Sequence, residues 1–360
     1  MINVCAPDYY SSFSCLGSEC PDTCCVGWLI EIDPQSYERF QNLKGELGEK
    51  VRANIFISDE GKPCFKLNEN GRCAFLNSSN LCQMYIDCGQ DSLCALCDNY
   101  PRIGEEFGSI RELGLSISCP EVARIILEHK EPISFEMWEQ DEKVDSEDYS
   151  EDPVFQILTE IRASLIALFQ DKSYTVKEKL SVFIVVANWL QATMDDNNYD
   201  EIVSIADRIQ DNSQVSNILA SVKATCKNKT GNERIAALKA FYEEYLKLDI
   251  INASFDALIK DNMNNLDRKC DKEAYVIENL LVYYCLRYFM KVIFDGDILS
   301  KAIFAIMSIL VLNNSNADLV TFVYQYSKEI EHCEPNMEAL ADLFWDLDEF
   351  GIENLLKAID

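Results

Sequence analysis

Cysteine placement constrains this chain more than any other feature. Twelve of its sixteen cysteines fall in the first third, at Cys5, Cys15, Cys20, Cys24, Cys25, Cys64, Cys73, Cys82, Cys88, Cys94, Cys97 and Cys119. The densest run, CLGSECPDTCC, spans Cys15 to Cys25. Adjacent cysteines such as Cys24 and Cys25 bond to each other only at the cost of straining the peptide unit between them. Both can instead send thiolates to one metal site or to two neighbouring ones. The N-terminus, MINVCAPDYY, has no basic start, no apolar h-region and no small-residue cleavage site, so the expected location is the cytoplasm. In a reducing compartment a cysteine cluster reads as metal-binding or catalytic, not as a disulfide framework.

The charge of −29 argues against nucleic acid as a partner, because phosphate binding relies on lysine and arginine. It is compatible with an acidic groove that attracts a lysine-rich polypeptide. The most apolar runs, Val182–Leu190 and Ala302–Leu312, fall well short of the about 20 residues that a bilayer requires, so no membrane span is expected. Acidic residues concentrate in Glu131–Phe155, which holds ten of them and one lysine. Mutual repulsion at that density reads as a linker or exposed loop. The expected organisation is a Cys-rich metal domain over residues 1–130, an acidic linker over 131–155 and an α-helical domain over 156–360.

The expected fold is mainly α: an irregular Cys-rich region with few short strands, followed by a helical bundle. In Gly27–Pro34 the alternation of Trp28, Ile30 and Ile32 predicts a short strand. Ser118–Lys130 predicts a helix with Cys119 at its N-cap, Pro120 at its first position and Glu121 in its first turn. The dipole at that end favours a thiolate on Cys119. Helical spacing of apolar residues recurs over 154–170, 175–194, 199–227, 232–249, 271–294, 297–312, 316–330, 336–347 and 351–359, without a fixed repeat. The stripe Tyr275, Tyr283, Tyr284, Tyr288 and Phe289 reads as helix core.

Four thiolates complete either a tetrahedral zinc site or a cubane iron–sulfur cluster. Spacing does not decide between them. Cys94–Cys97 is a C-x2-C hook without a second hook, and ferredoxin runs are absent. Cys20-x3-Cys24 begins a radical S-adenosylmethionine hook that fails at Gly27. The N-terminal cysteines fit one four-ligand site with spare thiols, or two sites. Cys226, Cys270, Cys285 and Cys333 sit in helical patterns and read as small buried apolar residues. There is no Walker A, H-E-x-x-H, G-x-S-x-G or G-x-G pattern, and His129 and His332 are the only histidines. No catalytic base and no cofactor pocket can be drawn from these residues.

The C-x4-C-x3-C-C-x-G-W run from Cys15 to Trp28 is followed in order by three further fragments. These are Cys73-Ala-Phe-Leu with Cys82, Cys97 with Tyr100-Pro101-Arg102, and Ser118-Cys119-Pro120-Glu121. The ordered set resembles the flagellin lysine-N-methylase family, with a cysteine region similar to the YkgJ-type zinc- or iron-chelating cluster. The resemblance implies a protein-lysine N-methyltransferase that holds a 4Fe–4S cluster and modifies flagellin, with S-adenosylmethionine as methyl donor. It implies metal ligation by Cys15, Cys20, Cys24, Cys25, Cys73, Cys82, Cys97 and Cys119. Cys5, Cys64, Cys88 and Cys94 have no place in that pattern. Tyr100 and Arg102 are candidates to hydrogen-bond cluster sulfur or a cofactor carboxylate, while a simple turn fixed by Pro101 explains them equally well. Two other function classes stay open on the residues alone: a non-catalytic zinc- or iron-chelating module on a helical interaction domain, and an electron-transfer protein.

Overall fold

Short polar residues ahead of apolar periodic segments set where the helices begin. Asp33 accepts the backbone N–H of Ser36 at 2.8 Å ahead of Pro34, and Asp152 accepts those of Val154 and Phe155 ahead of Pro153. Thr175 and Glu178 form a reciprocal capping box. Cys119 is the N-cap residue of a helix with Pro120 at its start, as the sequence predicts.

The computed structural model describes residues 1–144, 147–226, 231–267, 272–346 and 351–359. Its first part carries strands β1 (Ile2–Pro7), β2 (Ile55–Ile57), β3 (Pro63–Phe65), β4 (Arg102–Glu106), β5 (Ile110–Leu115) and β6 (Phe135–Gln140). Short helices lie between them: α1 (Pro34–Asn42), α2 (Gly45–Ala53), α3 (Gln83–Cys88), α4 (Ala95–Asn99) and α5 (Pro120–Glu128). The rest is helical. It comprises α6 (Pro153–Gln170), α7 (Val176–Asp195), α8 (Tyr199–Gln210), α9 (Asn212–Cys226), α10 (Gly231–Tyr245) and α11 (Ala253–Asn264). There follow α12 (Ala274–Tyr288), α13 (Val292–Asp295), α14 (Leu299–Asn313), α15 (Leu319–Glu329), α16 (Glu334–Asp346) and α17 (Ile352–Ile359). The mainly helical class with a few N-terminal strands is therefore observed. Among the described residues no helix is long and apolar enough to cross a membrane.

Several local expectations need correction. The helix expected over 199–227 is two helices, Tyr199–Gln210 and Asn212–Cys226, because the Asp211 carboxylate accepts the N–H of Ser213 and restarts the helix as α9; residue 227 lies outside the described residues. Helix α11 carries too little apolar periodicity to be expected, yet Asn252 caps it through the Ser254 N–H. Gly27–Pro34 is not a strand. Ile30 and Ile32 are buried as the alternation implies, but the segment makes only an isolated bridge, Glu31 to Cys64, beside β3. Within the acidic segment, Phe135–Gln140 is strand β6 and not loop. Its four central side chains stay exposed, so the acidic residues reach water while the backbone pairs. Cys270 lies outside the described residues.

The main sheet has the order β4-β5-β1-β6, with β1 parallel to β5 and antiparallel to β6. Two hydrophobic cores result. The smaller gathers Ile30, Ile32, Phe40, Val51, Phe65, Phe75 and Met84, together with Cys73 and Cys94. The larger runs from Tyr9 through the α5 residues Val122 and Ile126 into the helical part, as far as Ile359. It includes Tyr283, Tyr284 and Phe289 of the aromatic stripe. Buried ion pairs join its layers. Arg162 of α6 bonds both carboxylate oxygens of Glu112 on β5, and Lys179 of α7 pairs with Glu278 of α12. The Asn279 amide donates to the carbonyls of Ile126 and His129 at 2.8 and 2.6 Å, tying α12 to the end of α5.

One buried carboxyl opposes this packing. Glu329 is 1% exposed; its Oε2 accepts the Ile251 N–H at 2.7 Å, whereas Oε1 has no partner. Burial raises its pKa to about 7 from the ordinary 4.5. The folded state therefore holds the proton more tightly than the unfolded chain, so this group's contribution falls as pH rises from about 4.5 to 7. Glu329→Gln should raise stability by up to about 3 kcal/mol at pH 8 and leave it nearly unchanged at pH 4.5. Denaturant melts of both proteins at the two pH values check this. An equal gain at both would refute the titration account.

Candidate metal centre

The cysteines of the first third separate into two adjoining groups. Cys15, Cys20, Cys24 and Cys119 form the first. The Cys20 thiol is pushed up by burial and by its neighbours Cys15, Cys24 and Asp22. Burial, with Cys20 and Cys24 adding to it, raises Cys119 to about 11. The backbone N–H groups of Glu121 and Val122 act in the opposite sense, as the helix N-terminus predicts, but desolvation outweighs them.

Cys25, Cys73, Cys82, Cys94 and Cys97 form the second group. Burial raises Cys73 to about 11, with Cys82, Cys94 and Cys24 contributing. A hydrogen bond between the side chains of Cys94 and Cys97 holds Cys97 well up and brings Cys94 down to about 7. Cys97 also feels Cys25 and Cys73. The vicinal pair stands where the groups meet, with Cys24 and Cys25 sulfurs 4.0 Å apart. A backbone bond from the Cys73 N–H to the Cys25 carbonyl, at 2.8 Å, joins the first loop to the second. Every described cysteine is a free thiol. Among the described residues no three His, Cys, Asp or Glu side chains already stand in metal-binding geometry.

Cys94 is a member that the ordered motifs pass over; its C-x2-C spacing to Cys97 was the available signal. Its thiol is fully buried and lies 3.8 Å from the Glu31 carbonyl. Cys5 and Cys64 stand apart, beside Glu112 and Arg162 and beside Glu31 and Lys62 respectively. Cys88 is exposed at the end of α3. Cys285 is buried in α12, while Cys226 and Cys333 are partly exposed.

The helical part reaches the first group through two side chains to which sequence reasoning gave no role there, Lys328 and His332. Lys328 of α15 donates to Asp22 Oδ2 at 2.6 Å and to the Thr23 carbonyl at 3.0 Å, in the loop between Cys20 and Cys24. His332 Nε2 lies 2.8 Å from Ser116 Oγ and 2.9 Å from Ser118 Oγ, both serines being buried just ahead of Cys119. Burial, then Arg287 and Lys328, lower the His332 pKa to about 4, so the imidazole is neutral near pH 7. Trp28 packs edge-on against His332 at 4.7 Å and against Tyr100 at 5.1 Å, and its indole N–H donates to the Cys24 carbonyl. The Tyr100 hydroxyl lies 3.0 Å from Ser118 Oγ, and its phenol is raised by burial and by the nearby Cys119 and Cys24. Arg102 does not join this network; its guanidinium lies over the Phe13 ring.

A cleft of about 270 Å³ is lined by Lys130, Gln170, Tyr174, Glu273, Tyr275 and Glu278 among others, and no thiol borders it. It is slightly smaller than the roughly 300–1,000 Å³ usual for organic ligands.

Comparison with known proteins adds family information. The description "FliB lysine N-methylase C-terminal domain" matches residues 162–358. A lysine-N-methylase of Salmonella choleraesuis (strain SC-B67) is 29% identical over 137 residues, covering 35% of this chain and 33% of that protein. The flagellar biosynthetic protein FliU of Salmonella muenchen is 28% identical over 137 residues, covering 35% of this chain and 78% of that protein. The aligned part is thus about a third of the length of the first relative. No solved structure matches.

His332→Ala should leave Ser116 and Ser118 with only each other and Tyr100, costing about 1–2 kcal/mol. It should also free the Trp28 ring. Trp28 emission and the proteolytic susceptibility of the Cys15–Cys25 loop report this directly. An unchanged loop would mean that His332 does not hold it.

Proposed function

This chain belongs to the FliB lysine N-methylase family, and on that premise we propose that it is a cytoplasmic protein-lysine N-methyltransferase acting on flagellin. The match over residues 162–358 carries the reading. The curated relatives are named for lysine methylation and for flagellar biosynthesis, which supports flagellin as the substrate.

We further propose a 4Fe–4S cluster, with S-adenosylmethionine as methyl donor. The donor set fits such a cluster on one observation of this structure. Burial first, and then neighbouring thiols, raise the pKa of Cys20, Cys73 and Cys119, so thiolates at these positions call for a balancing positive charge. A bound metal cluster supplies that positive charge and deprotonates the thiols. Four of Cys25, Cys73, Cys82, Cys94 and Cys97 would hold it, with Cys94 and Cys97 as the preformed hook. Cys15, Cys20, Cys24 and Cys119 would supply a second thiolate set beside it. Tyr100 and Trp28 would exclude water on the side facing His332.

Methyl transfer to lysine requires the neutral amine as nucleophile, and the free side chain titrates at about 10.4. A dry surrounding lowers that value, whereas a carboxylate at the reacting nitrogen would hold the proton. The neutral imidazole of His332 and the hydroxyls of Ser116, Ser118 and Tyr100 form a network beside the thiols that places no anion there of its own. A non-catalytic metal-chelating module is the second reading, favoured by the separation of the 270 Å³ cleft from the thiols.

Intact mass of flagellin co-expressed with this chain decides between them. Steps of one methylene per modified lysine, lost with Cys24→Ala or Cys97→Ala, are expected. In parallel, Cys94→Ala should lower bound iron as much as Cys97→Ala, and Cys285→Ala should leave it unchanged. Unmodified flagellin from a folded, iron-loaded chain would favour the chelating module.

A further inference from the structure

Strand β6 is the edge of the main sheet, and its character does not fit a simply protected edge. It pairs with β1 from Ile2–Gln140 to Pro7–Phe135. The Asp8 N–H donates to the Ser134 carbonyl at 2.9 Å, which fixes the ladder phase. By alternation Glu136, Trp138 and Gln140 exchange backbone bonds with β1, while the N–H and C=O groups of Met137 and Glu139 point away from the sheet. Among the described residues no strand or loop hydrogen-bonds to that outer side.

Free edges are normally blunted by charge, proline or short length. Here the central residues Glu136, Met137, Trp138 and Glu139 are all exposed. Met137, at 75%, is the most exposed large apolar side chain among the described residues, and Trp138 is 37% exposed. The flanking charge is negative. Glu136, Glu139 and Asp141 have no cation within ion-pair distance among the described residues, and only Glu142 is matched, by Arg111 at 2.7 Å. Backbone donors and acceptors, apolar side chains and unneutralised carboxylates therefore share one six-residue edge.

We propose that β6 is a docking edge for an extended, lysine-bearing segment of the protein substrate, which adds to the sheet as a fifth strand beside β6. The proposal rests on the protein-lysine methylase reading for the identity of the partner. Strand addition supplies backbone bonds, while alternate side chains supply selectivity. Lysines on the added strand meet Glu136 and Glu139, and its apolar residues cover Met137 and Trp138. Carboxylates suit this task because they bind protonated lysines, which are neighbours in the substrate and not the amine that is methylated. Acidic steering also speeds encounter in a salt-dependent way.

Fluorescence anisotropy of a labelled twelve-residue peptide of alternating lysine and threonine, titrated with the full chain and no methyl donor, tests this. Met137→Pro removes one outward N–H without touching the bonds to β1, and Glu136→Lys with Glu139→Lys reverses the local charge. Each should weaken binding about tenfold or more while circular dichroism stays unchanged. Glu46→Lys with Glu49→Lys on the exposed face of α2 makes the same change in net charge and should bind like the parent. Undiminished binding by the two-glutamate reversal, or an equal loss in the α2 control, would overturn the proposal even if the proline variant fails to fold. Because binding is read without methyl transfer, peptide capture by a chain that leaves flagellin unmodified would refute the methylase reading and leave the docking edge standing.

Discussion

One ammonium group fixes the position of the first thiol group. Lys328 extends from α15 into the Cys20–Cys24 loop and bonds both the Asp22 carboxylate and the Thr23 carbonyl. In a chain of net charge −29, a cation spent at this point is a scarce resource. The Cys15–Cys25 segment that carries this loop has little packing of its own: it holds no helix beyond a single 3-10 turn, and its cysteines lie outside the small core apart from the contact made by Cys25. Helix α15 therefore acts as the wall against which the loop is shaped. Trp28, His332, Ser116 and Ser118 close the remaining side.

This arrangement explains why a family resemblance that covers the helical part has consequences for chemistry in the cysteine-rich part. The helices are not a passive appendage. They deliver Lys328 and His332 to the thiols and anchor β5 through the Arg162–Glu112 pair. Breaking such a buried pair on one side typically costs several kcal/mol, about 3–5, because the remaining charge stays buried. The helical body thus sets the frame within which the loops can vary.

Legibility in the sequence followed the range of the interactions. Helices were readable where caps and apolar spacing are local, as at Cys119-Pro120 and Thr175-x-x-Glu178. The four-stranded sheet was not, because β1 finds its partners more than a hundred positions away and its six residues include Cys5 and Pro7. The cysteine groups were half legible. Order and spacing single out most thiols, but which thiol faces which depends on loop closure, and Cys94 is marked only by its C-x2-C spacing to Cys97. His332 offered no signal beyond its rarity, since its role depends on two serines more than two hundred positions away.

The parallel pairing of β1 with β5, and its antiparallel pairing with β6, has a consequence for biogenesis. Residues 8–101 form one excursion away from the sheet between β1 and β4, and all but the last of the clustered thiols lie inside it. The first strand cannot complete its pairing until β6 has been made, about 140 residues into the chain. At roughly 5–20 residues per second that interval is of order ten to thirty seconds. Throughout it the thiols emerge before the wall that shapes them, since Lys328 and His332 come later still. Oxidation of the exposed thiols competes with folding during that window, so the state in which this region closes is a kinetic problem set by topology.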